Sequence, residues 1–168
     1  MAPLAEHRTG LPLWHPASLI AYWFGAGLIR VAPGTWGSLA ALPCAWLIAE
    51  GFGQLGLLIA AALLFPAGCW AAGRVGHASG VADDGAIVVD EVVGQWLTLT
   101  AAPLNPLAYL IGFLLFRLFD IAKPWPVGWA DRSLHGGFGV MADDVLAGVY
   151  AGLALLIILY AGALLIGR

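Results

Sequence analysis

Charged residues are scarce in this sequence. They make up 10% of its 168 residues, whereas an ordinary soluble domain carries about 25%. Hydrophobic residues make up 61%, and the mean hydropathy is +0.90. A soluble fold of this size could not cover so much apolar surface with polar groups. The composition therefore excludes an ordinary soluble domain and predicts a single domain embedded in lipid, preceded by an N-terminal tail at 1–16.

Other features are also missing. There is no basic tract, and a net charge of −3 gives no reason to expect a nucleic-acid partner. The two cysteines, Cys44 and Cys69, lie in apolar runs, outside any C-x-x-C motif or Cys/His cluster. A zinc site or a disulfide framework is therefore not expected.

Glycine, proline and charged residues divide the chain into six apolar segments, at 17–29, 38–49, 55–73, 86–104, 107–122 and 145–166. Inside lipid such segments must be helical, because only a helix satisfies its own backbone hydrogen bonds. The sequence thus predicts an all-α membrane bundle of about four to six apolar helices. The first segment is short for a span, which needs about 20 residues, so it is either interfacial or re-entrant. The last is the clearest transmembrane helix.

The segments pair as two hairpins, 38–49 with 55–73 and 86–104 with 107–122, and this pairing brings the charged loops to one face. That face holds five of the seven basic residues: Arg30, Arg74, Arg117, Lys123 and Arg132. It also holds eight of the ten acidic residues: Asp83, Asp84, Asp90, Glu91, Asp120, Asp131, Asp143 and Asp144. The bias of Lys and Arg predicts that this face is cytoplasmic.

The stretch DDGAIVVDE at 83–91 is a candidate metal site. In a helix, the spacing of seven residues puts Asp83 and Asp90 on one face, with Glu91 adjacent. Oxygen ligands without His or Cys suit Mg²⁺ rather than zinc or copper. The alternative is that these acids only complement the dipole at a helix N-terminus.

The stretch FRLFDIAKPWP at 116–126 is a candidate phosphate site. Arg117, Asp120 and Lys123 follow one another at i,i+3 spacing along one helical flank, which Pro124 ends. Arg117 and Lys123 can grip a phosphate, with Asp120 orienting them. Alternatively, Arg117 and Asp120 form a salt bridge that neutralises both.

The stretch DRSLHGGFGVMADD at 131–144 predicts a flexible glycine loop closed by Asp143 and Asp144 at the start of the last helix. These acids either cap the helix or complete a metal site facing Asp90 and Glu91. His135 is a candidate for proton transfer, because histidine as a residue type suits that role, although a lone histidine is more often a hydrogen-bonding spacer.

The stretch VAPGTWGSL at 31–39 places Thr35 and Ser38 just before an apolar helix. Free N–H groups at a helix start favour anions, which makes this segment a candidate phosphate cradle. Ser and Thr are also ordinary N-cap residues.

In this order and spacing, APGTWGSLAALP, DDGAIVVDEVVGQW, FRLFDIAKPWPVGWADR and HGGFGVMADDVLAG resemble the phosphatidylglycerophosphatase A family of bacterial membrane phosphatases. The similarity covers roughly residues 18–152. The resemblance implies a Mg²⁺-dependent hydrolase of the bacterial inner membrane, with its active face in the cytoplasm. Its expected substrate is the phospholipid phosphatidylglycerophosphate, whose terminal phosphate it removes to give phosphatidylglycerol.

Roles for individual residues follow from the residues and this resemblance together. The expected metal ligands are Asp83, Asp90, Glu91, Asp143 and Asp144. The expected phosphate-binding residues are Thr35, Ser38, Arg117, Lys123 and Arg132, supported by Asp120. The expected catalytic residues are Asp90, Glu91, His135 and Asp143. A transporter or channel with intramembrane carboxylate ligands is the alternative, but such proteins place charges near the midplane rather than at one interface.

Overall fold

The computed structural model describes residues 10–81 and 84–166, and this part of the chain is mainly helical and contains no strand. A 3₁₀-helix at Trp23–Leu28 follows the first α-helix. The α-helices of the described residues are α1 (Pro16–Ala21), α2 (Pro33–Ser79), α3 (Val89–Leu99), α4 (Pro106–Ala122), α5 (Val127–Ser133) and α6 (Gly136–Ile166). The predicted all-α class is confirmed.

Helix α2 reverses direction at Gly53, whose φ of 70° and ψ of −176° are not helical. Gly37 lies 16 residues before this point and Gly68 lies 15 residues after it. A Cβ atom on Gly37 would lie 2.6 Å from Val88 Cβ, and one on Gly68 would lie 3.4 Å from Val89 Cγ2. An uninterrupted helix would hold the two glycines about 46 Å apart. The halves at 33–52 and 54–79 are therefore antiparallel, as the sequence predicts for a tight turn there.

Helix α3 is short and central, and most of its side chains are buried. On one side, Trp96 Nε1 donates a 3.0 Å hydrogen bond to the carbonyl of Ala41 in α2. On the other side, Thr98 Oγ1 donates a 3.2 Å hydrogen bond to the carbonyl of Gly148 in α6. The α3 and α6 backbones also touch, since a Cβ on Gly148 would lie 2.5 Å from the carbonyl oxygen of Gly94. These contacts fix the middle and the end of α3 between α2 and α6.

The first apolar segment does not form one continuous helix. Helix α1 has six residues and is about 9 Å long, too short to cross a bilayer. Left-handed φ angles at Trp23 (45°), Phe24 (54°) and Gly25 (102°) then break the path. Before this break α1 is held against the bundle, because the carbonyl of Ala21 accepts a 2.8 Å hydrogen bond from the N–H of Val88.

The predicted loop at 123–144 is wrong in two respects. Part of it forms α5, and α6 begins at Gly136 rather than at residue 145. Asp143 and Asp144 are therefore the eighth and ninth residues of α6 and do not cap it. Gly137 serves packing rather than flexibility: a Cβ atom there would collide with the carbonyl of Cys69, so only glycine lets α6 approach α2 this closely.

Two helices, α2 and α6, are long and apolar enough to cross a membrane. Their large apolar side chains point outward, with Leu47 68% exposed, Leu63 69% exposed and Ile157 69% exposed. Such a surface is unfavourable in water but matches hydrocarbon. The protein is therefore a membrane protein.

The α3–α6 contact yields a prediction about stability. Gly148→Ala should destabilise the fold by about 1–3 kcal/mol, because the added methyl group meets the α3 backbone, which cannot move away easily. Gly162→Ala is the matched control in the same helix, since a Cβ there meets no atom within 4 Å. Unfolding in detergent micelles on titration with sodium dodecyl sulfate measures both. Equal stability of the two variants would contradict the backbone contact.

Candidate active site

A cavity of about 320 Å³ opens at the end of the bundle where α3 and α6 begin and α4 ends. Its walls are unusually polar for a site among apolar helices. The charged and titratable side chains that line it are Asp90, Glu91, Asp120, Lys123, Asp131, His135, Asp143 and Asp144. The cavity therefore collects groups from four helices and the loop before α6.

Three carboxylates form the acidic side of the cavity. Asp90 and Glu91 belong to the first turn of α3, and Asp144 reaches them from α6, so that one oxygen from each lies within 4.8 Å of the others. Asp90 Oδ1 accepts a 3.0 Å hydrogen bond from the N–H of Glu91. Glu91 Oε2 and Asp144 Oδ2 are buried without a hydrogen-bond partner. Buried carboxylate oxygens are costly when unpaired, so this group fits a hard cation that accepts oxygen ligands.

Arg117 of α4 lies beside these acids rather than on the cavity wall. Its Nη1 atom donates a 2.5 Å hydrogen bond to Asp120 Oδ2 and lies 3.9 Å from Glu91 Oε1. The first turn of α2 closes over this pair: a Cβ on Gly34 would collide with Glu91 Oε1 and lie 3.1 Å from Arg117 Nη1. The guanidinium therefore pairs with two nearly buried carboxylates and offsets part of their charge.

Lys123 supplies a cation to the wall of the cavity. It ends α4 in the left-handed conformation, with φ of 43°. Its ammonium donates hydrogen bonds to Asp131 of α5 and, at 2.8 Å, to Asp143 of α6. Partial burial by itself lowers the pKa of Lys123, but the hydrogen bonds and charges of the two carboxylates outweigh this and raise it. Lys123 therefore stays protonated at physiological pH.

The structure brings together seven of the residues selected from the sequence. All seven line the cavity: Asp90, Glu91, Asp120, Lys123, His135, Asp143 and Asp144. Asp83, the remaining expected metal ligand, lies outside the described residues.

Four other selected residues do not line the cavity. Arg117 contacts the acids from the side, and Arg132 is exposed on α5. Thr35 is half-buried in the first turn of α2. Ser38 is fully buried, and its hydroxyl donates a 2.8 Å hydrogen bond to the carbonyl of Gly34. Direct phosphate binding by these residues stays a prediction that this geometry does not support.

Two further residues belong to the site but were not selected from the sequence. Asp131 holds Lys123, and Gly34 permits α2 to approach Glu91. Asp131 was counted among the charges of this face, but helix α5, which turns it toward Lys123, was not predicted. The feature of the sequence that pointed to Gly34 was the Pro-Gly pair at the start of α2.

The fold and the cavity define a helical membrane protein with a cluster of buried carboxylates and paired cations at one end of its bundle. The family model of Phosphatidylglycerophosphatase A matches residues 19–159, so the chain belongs to this family. This confirms the resemblance seen in the sequence motifs.

Three relatives illustrate the match. Phosphatidylglycerophosphatase A of Escherichia coli is 42% identical over 143 residues, which are 84% of this chain and 83% of the relative. Phosphatidylglycerophosphatase A of Haemophilus influenzae is 44% identical over 151 residues, 89% of this chain and 93% of the relative. A protein of Bacteroides thetaiotaomicron with a provisional phosphatidylinositol-3-phosphatase name is 42% identical over 141 residues, 79% of this chain and 87% of the relative. No solved structure is significantly similar to the chain.

The position of Arg117 yields a prediction about stability. Arg117→Met should destabilise the protein by about 3 kcal/mol, because it leaves the nearly buried carboxylates of Asp120 and Glu91 without their cation. Arg30→Met, at an exposed arginine, is the control and should have little effect. Unfolding in detergent micelles measures the difference.

The double variant Arg117→Met with Asp120→Leu separates ion pairing from packing. It should recover part of the stability lost in Arg117→Met, because one of the unpaired carboxylates is removed with the cation. Strictly additive losses would show that the two side chains act independently.

Proposed function

We propose that the protein is a metal-dependent lipid phosphatase that hydrolyses the terminal phosphate of phosphatidylglycerophosphate to give phosphatidylglycerol. The observation that carries this proposal is the cavity itself, whose wall contains three clustered carboxylates and a protonated lysine. The chain that holds it belongs to the Phosphatidylglycerophosphatase A family. A phosphate monoester needs cations around its oxygens, and a membrane-embedded site accounts for a lipid substrate.

The residues present fit Mg²⁺. Asp90, Glu91 and Asp144 offer only oxygen ligands, and two of their buried oxygens lack partners. We assign the ion to these three residues; when bound, it supplies Lewis-acid polarisation of phosphate oxygens. Asp143 is already paired with Lys123, so its predicted role as a ligand or catalytic group has less support here.

The chain's own residues then divide the remaining work. Lys123 presents an ammonium to the phosphate and offsets charge that grows on the phosphoryl oxygens. Arg117 and Asp120 hold Glu91 in place from the side. His135 is exposed and lines the cavity, where its imidazolium form would give a proton to the glycerol oxygen as water displaces that oxygen from phosphorus.

Helix lengths support a bundle in which four segments are long enough to span the bilayer and the shorter α3, about 16 Å long, runs beside them from the cavity end toward the opposite end. The halves of α2 are about 30 Å and 39 Å long, α4 about 26 Å and α6 about 46 Å, which suit a hydrocarbon core of about 30 Å. The reversal at Gly53 and the α3–α4 turn lie at the opposite end from the cavity. The cavity thus lies at headgroup depth, where a lipid can present its phosphate while its acyl chains stay in the bilayer. We assign this face to the cytoplasm of a bacterial inner membrane, because it carries most of the Lys and Arg residues.

The same geometry counts against an ion transporter. Transporter sites lie near the bilayer midplane, often at broken helices. Here the carboxylates occupy one end of the bundle, and the deeper part of α3 packs Trp96 and Leu99 into the apolar core.

The activity is tested by phosphate release from phosphatidylglycerophosphate in detergent micelles. We expect turnover with Mg²⁺ and loss of turnover after chelation. Asp144→Asn should lower kcat/KM by about 10²–10³-fold, because it removes a charge that holds the ion. Glu50→Gln, an acid-to-amide change near the opposite end of the bundle, should retain activity. Phosphatidylinositol 3-phosphate is the comparison substrate. Faster hydrolysis of it would shift the proposal to the activity named for the Bacteroides relative.

The topology is tested by labelling single cysteines in a variant without Cys44 and Cys69. Cysteines at the exposed positions Ala78 and Ser133 should react only from the cytoplasmic side. Cysteines at Phe52 and Leu104 should react only from the other side, because the bundle ends there. Labelling of 78 and 133 from opposite sides would contradict a shared site.

A further inference from the structure

We propose that Asp131 is a positioning residue that fixes the ammonium of Lys123 at the cavity wall for contact with the substrate phosphate. This inference rests on the proposed phosphatase function. The structural observation behind it is that the Lys123 ammonium contacts two carboxylates, those of Asp131 and Asp143. All three side chains line the cavity.

Lysine needs such help more than arginine does. Its charge sits at the end of a flexible four-carbon stem, and nothing in the side chain itself sets its direction. Lys123 also lies beyond the last turn of α4, where its left-handed backbone releases it from the helix. Without external partners, its ammonium would sample many positions. Two fixed acceptors restrict the ammonium to a single position.

The two carboxylates belong to different helices, so together they locate the ammonium in space. Asp143 is nearly buried in α6, whereas Asp131 lies in the last turn of α5. An ammonium has three donors, and two of them are occupied by these acids. The third remains available to a phosphate oxygen in the cavity that Lys123 lines.

Close backbone contact with the end of α4 sets the position of helix α5. A Cβ on Gly128 would lie 2.7 Å from the carbonyl oxygen of Lys123, so α5 folds back directly onto the end of α4. Val127 and Ala130 are fully buried and anchor the helix. The hydroxyl of Tyr150 in α6 donates a 3.1 Å hydrogen bond to the carbonyl of Trp125, two residues before α5 begins. These contacts hold Asp131 beside Lys123.

Asp131 has a different environment from the metal-binding carboxylates. It is not among the three acids whose oxygens lie within 4.8 Å of one another, and its own oxygen faces an ammonium. Its effect on the reaction should therefore pass through Lys123. A residue that acts only through another has no effect once that other residue is removed.

The experiment is a double-mutant cycle on kcat and KM with phosphatidylglycerophosphate and Mg²⁺. Asp131→Asn should lower kcat by about 10-fold to 10²-fold, the scale of a displaced catalytic group, with a smaller change in KM. In the Lys123→Gln background, the same change should cause no further loss. Asp131→Glu should recover part of the activity, because it restores the charge on a longer stem. Glu50→Gln remains the control, and melting in detergent confirms that every variant is folded.

Two results would overturn the inference. One is an unchanged kcat in Asp131→Asn. The other is an equal loss of kcat with and without Lys123, which would give Asp131 an independent role.

If the wild-type protein releases no phosphate, the proposed function fails, and calorimetric titration with inorganic phosphate tests the positioning separately. Asp131→Asn should then shift the phosphate Kd while Lys123 is present and leave it nearly unchanged in the Lys123→Gln variant. Equal shifts in both backgrounds would reject the positioning role.

Discussion

The burial of carboxylates between α3 and α6 is the constraint on which the rest of this structure depends. Asp90, Glu91 and Asp144 converge among helices whose other surfaces face one another or lipid. Ionised carboxylates at such a place are strongly unfavourable unless cations and hydrogen-bond donors surround them. The ends of α2, α4 and α5 meet at this point, and α4 ends by bringing Arg117 and Lys123 to it.

The small residues of the motifs have their explanation in the same constraint. Gly94 and Gly148 let α3 and α6 touch, which places Asp144 within reach of Glu91. Gly34 lets α2 close over Glu91 and Arg117. Larger side chains at these points would separate the helices by several ångströms and divide the acidic group. Glycine here serves close packing between helices, as in other membrane proteins.

Much of this arrangement could be predicted from the sequence. Other parts could not be predicted, and each of these failures has a physical reason. Apolar runs and one-sided charges predicted the helices, the turn near Gly53 and the cavity-lining acids, because lipid imposes simple rules on hydropathy and backbone pairing. The start of α6 was missed because the glycines at 136–139 suggest a loop, although Gly137 packs directly against the backbone of α2. Asp131 was not selected because its role depends on helix α5, a short element without a hydropathy signal. Arg117 and Lys123 looked equivalent in sequence, and only the fold shows which of them lines the cavity.

The charge balance of the site bears on how a phosphate can enter it. Six acids, Asp90, Glu91, Asp120, Asp131, Asp143 and Asp144, and two cations, Arg117 and Lys123, leave a formal charge of −4 when all are ionised. Protons or metal ions must offset this charge, because a dianionic phosphate would otherwise be repelled. Protons would cancel the repulsion but add no attraction. A divalent ion at the three-carboxylate group would do both, since it lowers the negative charge locally and offers an open coordination position to a phosphate oxygen. With one such ion the site would still be negative by two, so a positioned ammonium at the cavity wall would give the incoming phosphate a second positive contact.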